Sequence, residues 1–118
     1  MPQDSLDDLK AQLLAFARER DWEQFHSPKN LSMALAGEAG ELLEHFQWLS
    51  EEQSANLDNA RKEQVALEMA DILIYLIRLS ERLGIDLIDA AYRNIAVIQA
   101  RYPAERVRGD ARRAEEYD

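Results

Sequence analysis

Residues 65–79, VALEMADILIYLIRL, decide how this chain folds. Wound as a helix, the stretch is apolar on almost every side, and a helix of that kind is buried on most sides. Only Glu68, Asp71 and Arg78 bring charge into it. Glu68 and Asp71 stand three positions apart, so they share one helical face, with Tyr75 a turn further along. Two carboxylates are therefore expected inside a greasy segment. Burying them is costly unless a cation pairs with them or they take up protons.

The helix that contains this stretch is expected over residues 57–83, with Gly84 as its exit. Upstream, a second long helix is expected over residues 28–49. Ser27 can cap it, Pro28 suits its first turn, and Leu31, Leu35, Glu38, Leu42, His45, Phe46 and Leu49 form its stripe. Glu38 sits in that apolar stripe and Glu41 stands beside it, among Ala34, Ala36, Gly37, Ala39 and Gly40. Glycine inside a helix costs roughly 0.5–1 kcal/mol against alanine, so two of them imply close approach by another helix or a ligand. Packed antiparallel, the two helices would set E-x-x-E against E-x-x-D across one groove. Met33 and Met69 are expected in the core.

Another helix is expected over residues 5–20, where Leu6, Leu9, Leu13, Phe16 and Ala17 mark one face and Ser5 with Asp8 marks the start. Residues 21–27, DWEQFHS, form a link, and residues 50–56 a polar one. A last helix is expected after the cap Asp86, ending before Pro103. No β-alternation occurs. The expected fold class is all-α, with one domain over residues 1–103. The segment 104–118 is charged without an apolar period and is expected to be a mobile tail, or an arm that orders on a partner.

The chain has 118 residues, 47% of them apolar. That length allows one domain with a modest core, and part of the apolar surface is expected to need a partner subunit. Cysteine is absent, which removes disulfides and thiolate metal sites. No apolar run reaches the ~18 residues of a membrane span. The opening MPQDSLDDLK lacks the basic-then-apolar order of a signal peptide, so a soluble cytoplasmic protein is expected. The net charge of −9 disfavours nucleic-acid polymers and anionic membranes. It also repels a nucleoside triphosphate, unless cations mediate the contact.

Carboxylates on two facing helices suit a hard ion, Mg²⁺ or else Mn²⁺. Di-iron bundles use Glu-x-x-His on two helices; here Glu41 and His45 are four apart and no second such pair exists. Zinc favours His or Cys, and only two His are present. Mg²⁺ on carboxylates usually works with substrate phosphates, which would reconcile an acidic protein with an anionic substrate. A plain alternative is that each acidic pair is simply solvated, as E-x-x-E on a helix commonly is. Two pairs embedded in apolar faces weigh against that. Trp22, Phe25 and Trp48 can stack on a base, worth ~1–3 kcal/mol each. By residue type alone, packing against the core or an oligomer interface is the better reading for them.

The run RDWEQFHSPKNLSMALAGEAGELLEHFQW (20–48), followed by EMADILIYLIRL (68–79) and RYP (101–103), resembles the dCTP pyrophosphatase branch of the MazG-like nucleoside triphosphate pyrophosphohydrolases. The resemblance spans roughly residues 6–103. It implies a four-helix bundle assembled as a dimer or tetramer. It implies Mg²⁺-dependent hydrolysis of a (deoxy)nucleoside triphosphate, dCTP or a modified dCTP, to monophosphate and pyrophosphate, a nucleotide-pool sanitation activity. It implies Glu38, Glu41, Glu68 and Asp71 as metal ligands, with Glu38 or Glu41 also orienting or deprotonating the water. Trp22 and Trp48 match positions that enclose the base. His26, Asn30 and Tyr75 match positions lining the nucleotide pocket, and Lys29 stands at a basic position suited to phosphate. One departure is clear: the branch carries a Lys and, four residues later, an Asn in its last helix, where this chain has Asn94 and Ile98. Alternatives within the superfamily are a dUTP-type or broad-specificity enzyme. An alternative of another class is a non-catalytic acidic helical interaction protein.

Overall fold

The computed structural model describes residues 5–116. The first four residues of the acidic N-terminus and the last two of the expected tail lie outside them. Helices dominate, and no strand occurs among the described residues. Four helices are long: α1 (Leu6–Glu19), α2 (Pro28–Glu44), α4 (Asn59–Leu83) and α5 (Leu87–Arg101). Two are short: α3 (Glu51–Ala55) and α6 (Ala104–Val107). The all-α expectation with four long helices holds. Contacts divide the chain into two compact units, Met1–Gly84 and Ile85–Asp118.

In the first unit every α-helix start is set by a short polar side chain taking an otherwise orphaned backbone N–H. Ser5 Oγ accepts from Asp8 N at 3.0 Å, and Ser27 Oγ accepts from Asn30 N at 3.1 Å. Asp58 Oδ1 accepts from Arg61 N at 2.8 Å, which moves the start of α4 to Asn59 from the expected position near 57. The link over residues 50–56 is not simply polar coil. Ser50 and Gln53 form a reciprocal capping box around α3, with bonds of 3.1 and 2.9 Å. A helix of five residues has no room to display an apolar period.

α2 ends at Glu44, five residues before its expected end at Leu49. Residues 45–49 tighten into turns, in which Phe46 N donates to Leu43 O and Leu49 N to Phe46 O. The freed carbonyl of His45 accepts from Arg61 Nη1 of α4 at 3.1 Å. Residue 45 thus meets residue 61, while Glu38 meets Glu68. As position rises on α2 it falls on α4, so the two helices run antiparallel.

α4 packs along α2 and more sparsely along α1. Ala17, Leu31, Val65 and Ile77 are the buried apolar residues, one or two from each long helix of the unit. Leu31 and Ile77 are enclosed at 2% exposure, worth about 1.5–3 kcal/mol each. α4 is not covered all round as expected. Leu67, Met69, Leu73 and Ile74 remain open, and Met33 and Met69, expected in the core, are exposed. The apolar circumference of α4 exceeds what two neighbouring helices of this length can cover.

In the second unit Asp86 Oδ1 caps α5 by accepting from Asp89 N at 3.0 Å. Ile88, Tyr92, Ile95 and Ile98 lie at helical spacing on α5 and are exposed. Beyond Pro103 the chain forms α6 and a 3₁₀ turn, Ala114–Glu116. Polar contacts tie this segment to the end of α5: Ala114 N donates to the Tyr102 hydroxyl at 2.9 Å, and Arg101 pairs with Glu115 at 3.5 Å.

α4 stops at Gly84, which adopts the left-handed conformation with φ 68°. A Cβ there would meet nothing within 4 Å, so the cost of substitution is backbone strain alone. Gly84→Ala should lower unfolding free energy by about 1–2 kcal/mol. Gly84→Asn should cost distinctly less, and urea denaturation of the pair would check both.

Candidate active site

Three carboxylates meet where α2 runs along α4. Glu38 and Glu41 sit one turn apart on α2, and Glu68 projects from α4. One carboxylate oxygen from each of these three lies within 4.8 Å of the others. Glu38 and Glu68 are half-buried, while Glu41 is exposed. Glu38 Oε2 and Glu68 Oε2 are sealed from solvent, and neither has a hydrogen-bond partner among the described residues. Buried acceptors left in this state are unfavourable unless something binds them. Glu68 beside it, burial, and the neighbouring Glu41 and Asp71 push the Glu38 carboxyl up to about 7.

A cavity of about 310 Å³ opens beside this cluster. Glu38 and Asp71 form part of its wall, with Tyr75 and Ile74 from α4, Leu13, Phe16 and Ala17 from α1, and Trp22, His26 and Arg78. Trp22 reaches it because the chain reverses sharply after α1. Asp21 takes the left-handed region at φ 55°, and Trp22 N donates back to Ala17 O at 2.9 Å. Aspartate tolerates that backbone better than most residues. Here Gln24 Nε2 also donates to both the carbonyl and the carboxylate of Asp21 at 3.0 Å. The Trp22 ring then stands edge-on to Phe16, with centroids 5.6 Å apart, and edge-on to His26 at 6.5 Å.

Arg78 forms the basic part of the wall. The residue is buried, at 3% exposure. Nη1 donates to Glu81 Oε2 at 3.0 Å, and Nη2 lies 3.3 Å from His26 Nδ1. Burial, then the nearby Arg78 and Arg82 guanidinium groups, hold the His26 imidazole below its usual value, with Glu23 opposing.

The MazG-like family model matches residues 34–114 of this chain. The chain belongs to the MazG-like family. It is 44% identical to dCTP pyrophosphatase 1 of Mus musculus over 112 residues, 93% of this chain and 66% of that protein. It is 41% identical to dCTP pyrophosphatase 1 of Homo sapiens over 114 residues, 95% of this chain and 67% of that protein. The chain thus spans about two thirds of the length of these curated relatives. Among solved structures, a pyrophosphatase from Archaeoglobus fulgidus superposes with a TM-score of 0.78 at 37% identity, covering 82% of this chain and 91% of that one.

Against this MazG-like background the residues singled out in the sequence divide into two groups. The structure brings Trp22, His26, Glu38, Asp71 and Tyr75 to one cavity, and Glu38, Glu41 and Glu68 to one cluster. Asp71 acts on Glu38 electrostatically from the cavity wall but stands outside the three-carboxylate cluster. Three others are elsewhere within this chain. Trp48 is 87% exposed in the turn after α2 and does not line the cavity. The Asn30 amide is spent on the Phe25 carbonyl at 3.0 Å. Lys29 is exposed in the first turn of α2. Arg78 does not neutralise the four acids, because Glu81 holds it. Leu13, Phe16, Ala17, Ile74 and Arg78 are wall residues that were not read as part of a site beforehand. Phe16 looked like a stripe residue of α1, and only the reversal at Asp21 turns it toward Trp22.

The three-carboxylate cluster suits a divalent cation. Its donors are all hard oxygens, and the two sealed oxygens have no hydrogen-bond partner among the described residues. Without a cation, a proton is the only remedy. Folded Glu38 therefore keeps its proton to about pH 7, whereas the unfolded side chain releases it near 4.5. Between those values the folded state binds more protons, so this contribution to stability is complete below the lower one and lost as pH rises through the upper. Glu38→Gln carries no titrating proton. In the presence of chelator its melting temperature should exceed that of the wild type by a margin that grows as pH rises from about 5 to about 8. Paired melting curves across that range would check the sign.

Proposed function

We propose that this chain hydrolyses a (deoxy)nucleoside triphosphate, dCTP or a modified dCTP, to the monophosphate and pyrophosphate. The observation that carries the reading is the convergence of Glu38, Glu41 and Glu68 at the edge of an aromatic-walled cavity. Kinship with dCTP pyrophosphatase 1 supports the choice of substrate. The 310 Å³ cavity is of the order that small-molecule sites require.

Glu38, Glu41 and Glu68, with Asp71 beside them, are the residues that would hold Mg²⁺ or Mn²⁺. Such an ion, when bound, supplies the positive charge that an acidic protein needs to accept a triphosphate. Trp22 offers a ring face or edge for the base, and Tyr75 and His26 offer polar contacts along the wall. The cluster supplies a carboxylate, Glu41 or Glu38, to orient a water and take its proton. The oxygen of that water bonds to the α-phosphorus as the bond from that phosphorus to the bridging oxygen breaks. Pyrophosphate leaves with the electron pair.

The reading includes assembly into a dimer or tetramer. Exposure of Trp48, Leu67, Met69 and Tyr92 in the isolated chain supports it. It also includes a cytoplasmic location, where nucleotides are found. Among the described residues no helix is long and apolar enough to cross a membrane.

A panel of nucleoside triphosphates, incubated with Mg²⁺ or Mn²⁺ and scored for pyrophosphate, is the decisive experiment. The expected result is pyrophosphate rather than orthophosphate, with dCTP or a modified dCTP preferred. Preference for dUTP or no preference would move the chain to another branch, and no turnover at all would leave it a binding protein. Glu68→Ala and Asp71→Ala should each lower turnover by more than about 100-fold while leaving the helical circular dichroism intact.

A further inference from the structure

Arg78 is unusually buried for an arginine, at 3% exposure, yet it serves none of the four acids. Its Nε is sealed from solvent and has no partner among the described residues. A buried guanidinium with an orphaned donor is costly, and an apolar side chain of similar volume would pack there at less expense. Packing therefore does not account for it.

The geometry points to Arg78 as a positioning residue for His26. A guanidinium only donates, so the 3.3 Å contact from Arg78 Nη2 requires His26 Nδ1 to be the acceptor. Nδ1 then carries no proton, and the neutral ring must carry it on Nε2. His26 lines the cavity, and Nε2 is the ring nitrogen left for a ligand. We propose that Arg78, itself anchored on Glu81, locks His26 as an Nε2–H donor for a hydrogen-bond acceptor on the nucleotide. The acceptor would be a ring-edge oxygen or nitrogen of the base, because Trp22 stands next to His26 on the same wall.

The charged groups around the ring are consistent with a neutral donor. Arg78 and Arg82 approach it from α4, and both oppose an imidazolium; Glu23, on its own segment, is the one that favours it. Glu23 is shared, lying 3.4 Å from Arg18 and 4.0 Å from Arg82. Glu81 is taken by Arg78 at 3.0 Å.

The binding part of this proposal rests on the pyrophosphohydrolase reading, whereas the state of the His26 ring does not. Long-range ¹H–¹⁵N spectra of the histidine side chains in the full chain test the ring directly. The expected result is an Nε2–H tautomer at neutral pH and a titration midpoint below that of a free imidazole. A ring protonated on Nδ1 in the wild type overturns the proposal with no variant needed. In Arg78→Met the His26 midpoint should rise and KM for dCTP should increase on the order of 5- to 10-fold, the loss of about one hydrogen bond, with kcat little changed. Arg78→Lys, which keeps a cationic donor, should recover part of the KM loss. A folded Arg78→Met with an unchanged His26 titration overturns the proposal, even if KM rises, because the role would then be structural. Should the wild type hydrolyse no nucleotide, the functional reading fails alone, and the ring state and its response to Arg78→Met still decide this one.

Discussion

Repulsion among carboxylates at the α2–α4 crossing is the constraint on which the rest of the molecule depends. Three of them bring oxygens within 4.8 Å, and two of those side chains hide an unpaired oxygen from water. Left to themselves, such groups would force the helices apart. What holds the crossing closed is distributed along it. Leu31 and Ile77 are fully enclosed, and Arg61 bonds the His45 carbonyl near the end of α2. Hydrophobic burial thus offsets an electrostatic penalty that only a proton or a hard cation relieves. The strain is local to the site, which is where a protein can turn it to use.

The way positive charge is distributed is as telling as the acids themselves. The nearest buried cation, Arg78, is committed to Glu81 and His26. No buried cation is spent on the acids, while Trp22, Phe16 and His26 give the same cavity an aromatic side, with Arg78 among them. One cavity therefore has two chemically different sides. The acidic side suits a cation and the phosphates that cation would accept. The aromatic side suits a flat ring. In a chain with net charge −9, a cation held on the acidic side would offset the repulsion of an anionic ligand.

The isolated chain has a thin core. Few side chains are enclosed, and large apolar ones such as Trp48, Leu67, Met69 and Tyr92 face outward. Small domains bury a smaller share of their surface than large ones, so faces like these commonly meet a second subunit. The same economy explains why α4, although apolar nearly all round, is covered on only part of its circumference. Sites built on such helices gain precision from whatever completes the packing, because the carboxylates sit on the rigid elements themselves rather than on loops.

By itself the sequence determined the helical class, the position of each long helix and the two acidic pairs, because these follow from local rules. Apolar spacing shows through in α1, α2 and α4, and caps such as Ser5, Ser27 and Asp86 act within one turn. Motif order was also legible, and it carried the family likeness that the MazG-like match over residues 34–114 bears out. Tertiary structure alone decided which of these residues meet. The reversal at Asp21, a backbone state no periodicity reports, carries Trp22 and His26 to the cavity. The tightening of residues 45–49 leaves Trp48 away from it within the chain. The pairing of Arg78 with Glu81 and His26, rather than with the acids, spans two segments 52 residues apart. Contacts of that range depend on how helices cross, and crossing is set by the packing of whole faces rather than by any neighbouring residue.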